Sequence, residues 1–405
     1  MKKFITYNKS MEILENSFNI STFPTQKLFL SNSLGFILAQ DIISTTNSPA
    51  YETSAMDGYA ILSDNQELDK IKIIDNNPAG TVVTSEVVNG CCIKTFTGSL
   101  MPKGSDTLIP IENVTVDGDY ITIDKKVPKG FSVRYVGENY KKDETLIKKG
   151  TLIDFAHIGV MASLNISQVK VYAKPIISIA STGSEILDLG EEQINNSQIR
   201  SSNHLTLEAI ANKYGAKVYQ MGVVKDDKDS ILELFNNALS QSDIVVTTGG
   251  VSVGDYDFVK DIIKDKLDCE LLFQGVHIKP GQHILVAKKE NKYIVALPGF
   301  AYSSTVTFIL YVLPILFKFR NGNESLKIVD AIIEEDFIKK GDKYSFIACN
   351  LHYKNGSYRV NLDGKKNGTS AILTNMLGST SLLIIDENKN DISKWEIVKV
   401  IMLNN

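Results

Sequence analysis

Residues 243–261 read Asp-Ile-Val-Val-Thr-Thr-Gly-Gly-Val-Ser-Val-Gly-Asp-Tyr-Asp-Phe-Val-Lys-Asp, and this stretch decides the reading of the chain. The apolar run 244–246 predicts a buried strand that enters paired glycines, Gly249 and Gly250. A loop carrying Ser252 closes at Gly254, and Asp255 and Asp257 stand where a helical pattern begins. Glycines let a backbone turn tightly and bring its N–H groups against a ligand, and a helix N-terminus favours an anion. Carboxylates at the same place repel a phosphate unless a hard cation sits between them. The segment therefore points to phosphate bound through Mg²⁺. Standing alone, it also fits a strand–helix turn with solvated acids.

The segments around it alternate strand and helix. Residues 176–180 form an apolar strand ending in Ser181-Thr182-Gly183-Ser184-Glu185. Ser202 or Asn203 is expected to cap a helix with Leu205, Leu207, Ile210 and Tyr214 on one side, and Gly215 is a suitable terminator. A strand at 217–221 leads to Asp226 and Asp227, and a helix over 229–240 returns to the 244–246 strand. Strands separated by helices predict a parallel, doubly wound α/β sheet covered on both faces. Ligands of such sheets lie at the carboxyl ends of the strands, so Glu185, Asp226 and the 249–257 segment should converge. A hairpin-like pair (284–288 and 293–297), Lys279-Pro280-Gly281 and Pro298-Gly299 complete this region.

The flanks differ. Residues 46–145 show short β-patterned runs (59–62, 70–74, 92–96, 120–123) between turn signals, as in a β-rich domain. Residues 1–45 and 146–174 are expected to pack together as a discontinuous connecting domain, with helical character near 10–41. The α/β domain covers 175–322, and 323–405 is expected to form a small β-barrel, with a hairpin at Asn355-Gly356 and strands at 381–385 and 396–402.

With 405 residues the chain is long enough for roughly two to four domains. A net charge of -4 and a pI near 5.8 argue against nucleic-acid binding. Residues 305–317 are almost wholly apolar but too short to span a bilayer and contain Pro314, so a buried helix and no membrane association are expected. No signal peptide is expected, and Cys91, Cys92, Cys269 and Cys349 lack metal-ligand spacing; buried, reduced thiols in a cytoplasmic protein are the expected state. The five histidines form no metal pattern. The glycine spacing fits neither a dinucleotide fingerprint nor a Walker A loop, and no nucleophile elbow is present.

Six segments in this order resemble the molybdopterin molybdenumtransferase family, the MoeA type that includes the E domain of gephyrin. They are Ser54-Ala55-Met56-Asp57-Gly58-Tyr59-Ala60, Thr97-Gly98, 181–185, 248–257, 278–281 and 297–299. The resemblance implies a four-domain elongated homodimer with a cleft shared between subunits and a MoaB/MogA-like sheet domain. It implies insertion of molybdenum from molybdate into adenylylated molybdopterin with release of AMP. By motif, Asp57, Thr97, Glu185, Asp226, Asp257 and Lys279 correspond to family site residues. Glu185, Asp226 and Asp257 would hold Mg²⁺. Thr182, Gly183, Gly249, Gly250, Ser252, Gly254, Pro298 and Gly299 would bind the cofactor precursor. Lys343 and Ser370 are the candidates from the C-terminal domain. The alternative readings are that the chain is itself a molybdopterin adenylyltransferase, or a non-catalytic molybdopterin-binding scaffold; a separate molybdopterin adenylyltransferase is the partner the resemblance implies. The chain departs from the family's Pro-Gly-Asn-Pro-Val-Ser at Phe300-Ala301, and Gln274-Gly275 lacks the basic residue often found there.

Overall fold

The computed structural model describes residues 4–20, 23–250, 258–366 and 370–403. The chain divides into two compact units. One comprises Met1–Ala39, Gly150–Asp154 and Gln168–Asn405; the other comprises Gln40–Lys149 and Phe155–Ser167.

The larger unit is built around a six-stranded sheet. Its order is Lys217–Val224, Ile176–Thr182, Ile244–Thr248, Lys292–Leu297, Leu285–Lys289, Glu270–Gln274. The first four strands are parallel, and the hairpin partner and the Glu270 strand extend the sheet antiparallel. Successive side chains of a strand point to opposite faces, and here both faces are apolar. Ile177, Ile179, Ile244, Val246 and Val295 pack on one side with helices Asn203–Lys213 and 301–320. Val245, Ile294, Ala296, Leu285 and Ala287 pack on the other with helices Lys228–Gln241 and Phe258–Asp265.

The apolar run of the sequence extends further than expected, into the 20-residue helical segment Ala301–Arg320. By length and composition it could cross a membrane, yet 83% of its apolar window lies inside the core. Its π-helical turn, Phe308–Val312, sits just before Pro314, whose missing N–H breaks the regular ladder.

The last strands close a barrel in the order Tyr344–Lys354, Ser357–Asn361, Ile328–Ile333, Ile397–Ile401, Thr380–Ile385 and back to the first. Asn355 and Gly356 turn with φ of 51° and 79°, as a two-residue hairpin loop requires. The short strand Ile278–Lys279 leaves the α/β sheet to pair in parallel with Tyr344 and Ser345. That pairing ties the barrel to the Lys-Pro-Gly turn.

In the smaller unit, six strands in the order Thr107–Pro110, Gly58–Ile61, Cys91–Thr95, Ile71–Asn77, Tyr120–Ile123, Val114–Asp117 form one sheet. Tyr59, Ile61, Ile71, Cys92, Ile109 and Ile121 are its core. The four cysteines are free, but only Cys92 and Cys349 are buried; Cys91 and Cys269 are half-exposed, contrary to expectation. Burial pushes the Cys92 and Cys349 thiols up to about 12.

Candidate functional site

Register brings the carboxyl ends of four strands level: Thr182 pairs with Val224, Ser181 with Thr248, and Thr248 with Leu297. A cavity of about 630 Å³ opens over these ends. Thr182, Gly183, Glu185, Asp226, Gly249, Gly250, Pro298 and Gly299 all line it. Eight of the expected site residues thus share one wall. Ser252, Gly254 and Asp257 lie outside the described residues.

The two aspartates after the Lys217–Val224 strand separate into different roles. Asp227 caps the next helix: its Oδ1 accepts from the Ser230 N–H at 2.9 Å and its Oδ2 from the Ser230 hydroxyl at 2.8 Å. These bonds hold its carboxyl below the usual range. Asp226 faces the cavity instead, and among the described residues its buried Oδ1 has no hydrogen-bond partner. Burial, then the charges of Glu185 and Asp227, raise the Asp226 carboxyl above its ordinary value of 3.8. A half-buried carboxylate with one unpartnered oxygen, beside another acid, carries uncompensated negative charge. Among the described residues no three potential metal ligands cluster, so Glu185 and Asp226 form an incomplete ligand set by themselves.

The glycines are required by contact. A Cβ on Gly249, at φ +97°, would lie 2.5 Å from the Thr182 carbonyl oxygen. One on Gly250 would lie 2.8 Å from Val259 Cγ2, and one on Gly183 would lie 3.0 Å from a Glu185 carboxylate oxygen. The expected phosphate cradle needs one correction. The Gly249 N–H donates to Leu297 O at 3.1 Å and the Gly183 N–H to Val224 O at 3.3 Å, so neither is free for a ligand.

Sequence reasoning missed Asn203. Ser202 precedes the helix without a side-chain cap, and Asn203 is its first residue. The Asn203 amide reaches across to Gly299 O at 2.7 Å and Thr248 Oγ1 at 3.3 Å, fastening the Pro298-Gly299 turn to the sheet. A polar side chain just inside a helix start reads as a cap from sequence alone.

Phe300, Pro298 and His283 also line a second cavity of about 540 Å³ that holds Lys279, Lys340, Lys343, Ser303 and Ser370. A third, of about 290 Å³, adds Lys366 beside Lys279 and Lys340. Lys343 donates to Gln282 Oε1, and the Gln282 amide contacts His283 at 2.7 Å. Burial, then Lys343, lowers the His283 imidazole. Five lysines, Lys339 included, against Asp342 make this region favourable to an anion. Lys340 and Lys366 carried no motif that would single them out.

In the smaller unit Asp57 and Thr97 meet. Asp57 Oδ1 accepts from the Thr97 N–H at 2.8 Å and hydroxyl at 2.7 Å. These two bonds lower the Asp57 carboxyl.

Comparison with known proteins identifies the family. Residues 5–165 match the MoeA N-terminal region (domain I and II), and residues 178–318 match a probable molybdopterin binding domain. A molybdopterin molybdenumtransferase of Staphylococcus aureus is 34% identical over 334 residues, 81% of this chain and 79% of that protein. The chain belongs to the molybdopterin molybdenumtransferase family. The Haemophilus influenzae member is 29% identical over 396 residues, 93% of this chain and 94% of its own length. The crystal structure of the molybdopterin biosynthesis moeA protein from Pyrococcus horikoshii OT3 superposes with a TM-score of 0.83 at 29% identity, covering 99% of this chain and all of that one. The fold is that of the MoeA type, and the chain is an enzyme of molybdenum cofactor biosynthesis.

Proposed function

We propose that this molybdenumtransferase inserts molybdenum from molybdate into adenylylated molybdopterin, with Mg²⁺-dependent release of AMP. The observation that carries the reading is the unpartnered, buried Oδ1 of Asp226, beside Glu185 at the mouth of a glycine-lined cavity that adjoins a lysine-lined one. Glu185 and Asp226, together with Asp257 by its motif, would hold the ion. Mg²⁺, when bound, neutralises phosphate oxygens and polarises the phosphorus they surround.

The chain's own groups divide the remaining work. Gly249 and Gly250 let the backbone pass close to the nucleotide-linked end of the ligand. Lys279, Lys340, Lys343 and Ser370 would receive molybdate, offsetting its charge as it nears the dithiolene sulfurs. Bringing two anions together is the electrostatic difficulty of this reaction, and preorganised ammonium groups are what lower it. The homodimer with a shared cleft, implied by the resemblance, belongs to this proposal and assigns the Asp57–Thr97 pair to a second copy of the chain. The proposal also includes a cytoplasmic setting, consistent with four cysteines that form no disulfide. A molybdopterin adenylyltransferase would act as supplier of the substrate.

The test is direct. Purified protein is incubated with adenylylated molybdopterin, Mg²⁺ and molybdate, and AMP is measured. Release that requires both ions supports the reading. AMP-adduct formation from ATP would replace it with an adenylyltransferase, and no reaction with either would leave a scaffold.

A further inference from the structure

Beside the strand ends lies a chain of polar side chains that neither the metal nor the phosphate reading uses. His204 is 3% exposed; its Nε2 is 3.2 Å from Asp188 Oδ1 and its Nδ1 is 2.8 Å from Ser201 Oγ. Ser201 Oγ is 3.0 Å from Ser181 Oγ, which is 3.1 Å from Thr248 Oγ1, which meets the Asn203 amide at 3.3 Å. Ser181, Ser201, Asn203 and Thr248 all line the 630 Å³ cavity.

The ends of this chain fix the direction of every proton in it. Asn203 Nδ2 also touches the Gly299 carbonyl at 2.7 Å, which only accepts, so the amide nitrogen faces Thr248 and donates. At the other end the Asp188 carboxylate only accepts, so the His204 nitrogen facing it, Nε2, carries the ring proton in the proposed order and Nδ1 is the acceptor. Ser201 must then donate to His204. Its proton being spent, Ser181 must donate to Ser201, and Thr248 to Ser181. With Nδ1 as acceptor, one assignment satisfies every contact, and bonds aligned in one direction strengthen each other.

We propose that His204, held by Asp188, is a positioning residue that turns the Ser201 hydroxyl away from the cavity, so that Ser201 offers the ligand a lone pair and no proton. Ser181 and Thr248 are 2% exposed, so of the hydroxyls in this relay half-buried Ser201 is the one a ligand meets. An acceptor wall repels phosphate oxygens and receives an N–H or O–H. It therefore orients a nucleotide–pterin ligand with a ribose hydroxyl or a pterin N–H at Ser201 and its phosphates toward Gly250 and Asp226. This inference rests on the proposed substrate.

The experiment uses the full-length protein and two readouts. Nitrogen-15 NMR of histidine-labelled protein, with His204 assigned through His204→Gln, reports the tautomer; Nε2–H is expected, and an Nδ1–H tautomer overturns the proton order. Ser201→Ala and His204→Leu should each raise KM for adenylylated molybdopterin roughly 3- to 10-fold with kcat little changed. His204→Gln keeps an acceptor for Ser201 and a donor for Asp188, and should restore KM to within about twofold. The same variants titrated with AMP and with a free pterin show which donor faces Ser201: weakened AMP binding identifies the ribose, weakened pterin binding the ring. Unchanged KM in Ser201→Ala, or equal defects in the Gln and Leu variants, overturns the proposal. Absence of AMP release by the unmodified protein would instead sink the proposed function, while the tautomer still decides the proton order.

Discussion

Replacing Asp226 by Asn should make the metal-free protein more stable and blind to Mg²⁺. Asn keeps the shape and removes the charge, so the change isolates electrostatics. Like carboxylates perturb each other at separations of about 5 Å, where the Coulomb energy runs from about 0.8 kcal/mol in water to about 3 kcal/mol near a protein surface. The site is half open, which places the relief at the lower end, about 1 kcal/mol, or a rise in Tm of about 2 °C. The direction with pH follows from the raised carboxyl. Because folding lifts the Asp226 value above 3.8, the folded state binds that proton more tightly than the unfolded chain. The penalty is therefore present above the raised value and disappears as pH falls through it. The advantage of the variant should vanish over the same window.

Mg²⁺ at ten times its Kd should stabilise the unmodified protein by about 1.4 kcal/mol, the linkage energy of one site, and should leave Asp226→Asn unmoved. Differential scanning fluorimetry with and without Mg²⁺, at neutral and acidic pH, reads all three effects. A variant that is no more stable at neutral pH yet retains the full Mg²⁺ shift would refute the reasoning that Asp226 is an uncompensated metal ligand.

Gly249→Ala should cost about 1–2 kcal/mol from left-handed backbone alone. The 2.5 Å approach to Thr182 O must displace main chain as well, so urea unfolding should show the loss and AMP binding should weaken with it. Thr97→Val removes the hydroxyl that bonds Asp57 but not the N–H; carbon NMR should show the Asp57 carboxyl moving up toward its ordinary value without reaching it. Lys343→Met should raise KM for molybdate, and the His283 imidazole should titrate higher by NMR, while remaining below its ordinary 6.5 because burial, its larger cause, persists. If the cleft is shared, mixing inactive Asp57→Asn and Asp226→Asn proteins under subunit exchange should restore AMP release to roughly a quarter of the unmodified rate or less; no recovery would count against a shared cleft.

Much of the sheet and its ligand edge was legible because both rest on local pattern. Apolar runs such as Ile244–Thr248 can only be buried strands once helices flank them, and parallel connection puts their glycine-bearing ends on one edge. The roles of individual polar residues were less legible, because they depend on which neighbour arrives in space. Asp226 and Asp227 are adjacent and chemically identical, and only the position of Ser230 makes one a cap and leaves the other facing the cavity. Asn203 and His204 are ordinary helix-start residues by sequence, and their partners Gly299 and Asp188 lie 96 and 16 positions away. Lys340 and Lys366 reach Lys279 because Ile278–Lys279 joins the barrel sheet, a pairing of two-residue length that no periodicity announces.

Phe300 shows how a departure from a family motif becomes intelligible once its surroundings are known. It is 63% exposed and lines both the glycine-lined and the lysine-lined cavity. The Asn that the family resemblance implies here would add an amide donor at that partition; a phenyl ring adds none. Under the proposed function an anion in the adjoining cavity is then held more by charge, since this chain places Lys279, Lys340 and Lys343 around one chamber with Lys366 close behind. Attraction to an ammonium group is less directional than a hydrogen bond from a fixed amide, since Lys carries three rotatable donors on a flexible stem. A pocket built this way should bind tetrahedral oxyanions of equal charge with little discrimination, and its affinity should fall with ionic strength. Tungstate should therefore compete with molybdate at nearly equal concentration, and Phe300→Asn should sharpen the preference while weakening the salt dependence. Strong selectivity for molybdate in the unmodified protein, unchanged in the variant, would show that Phe300 has no part in choosing the anion.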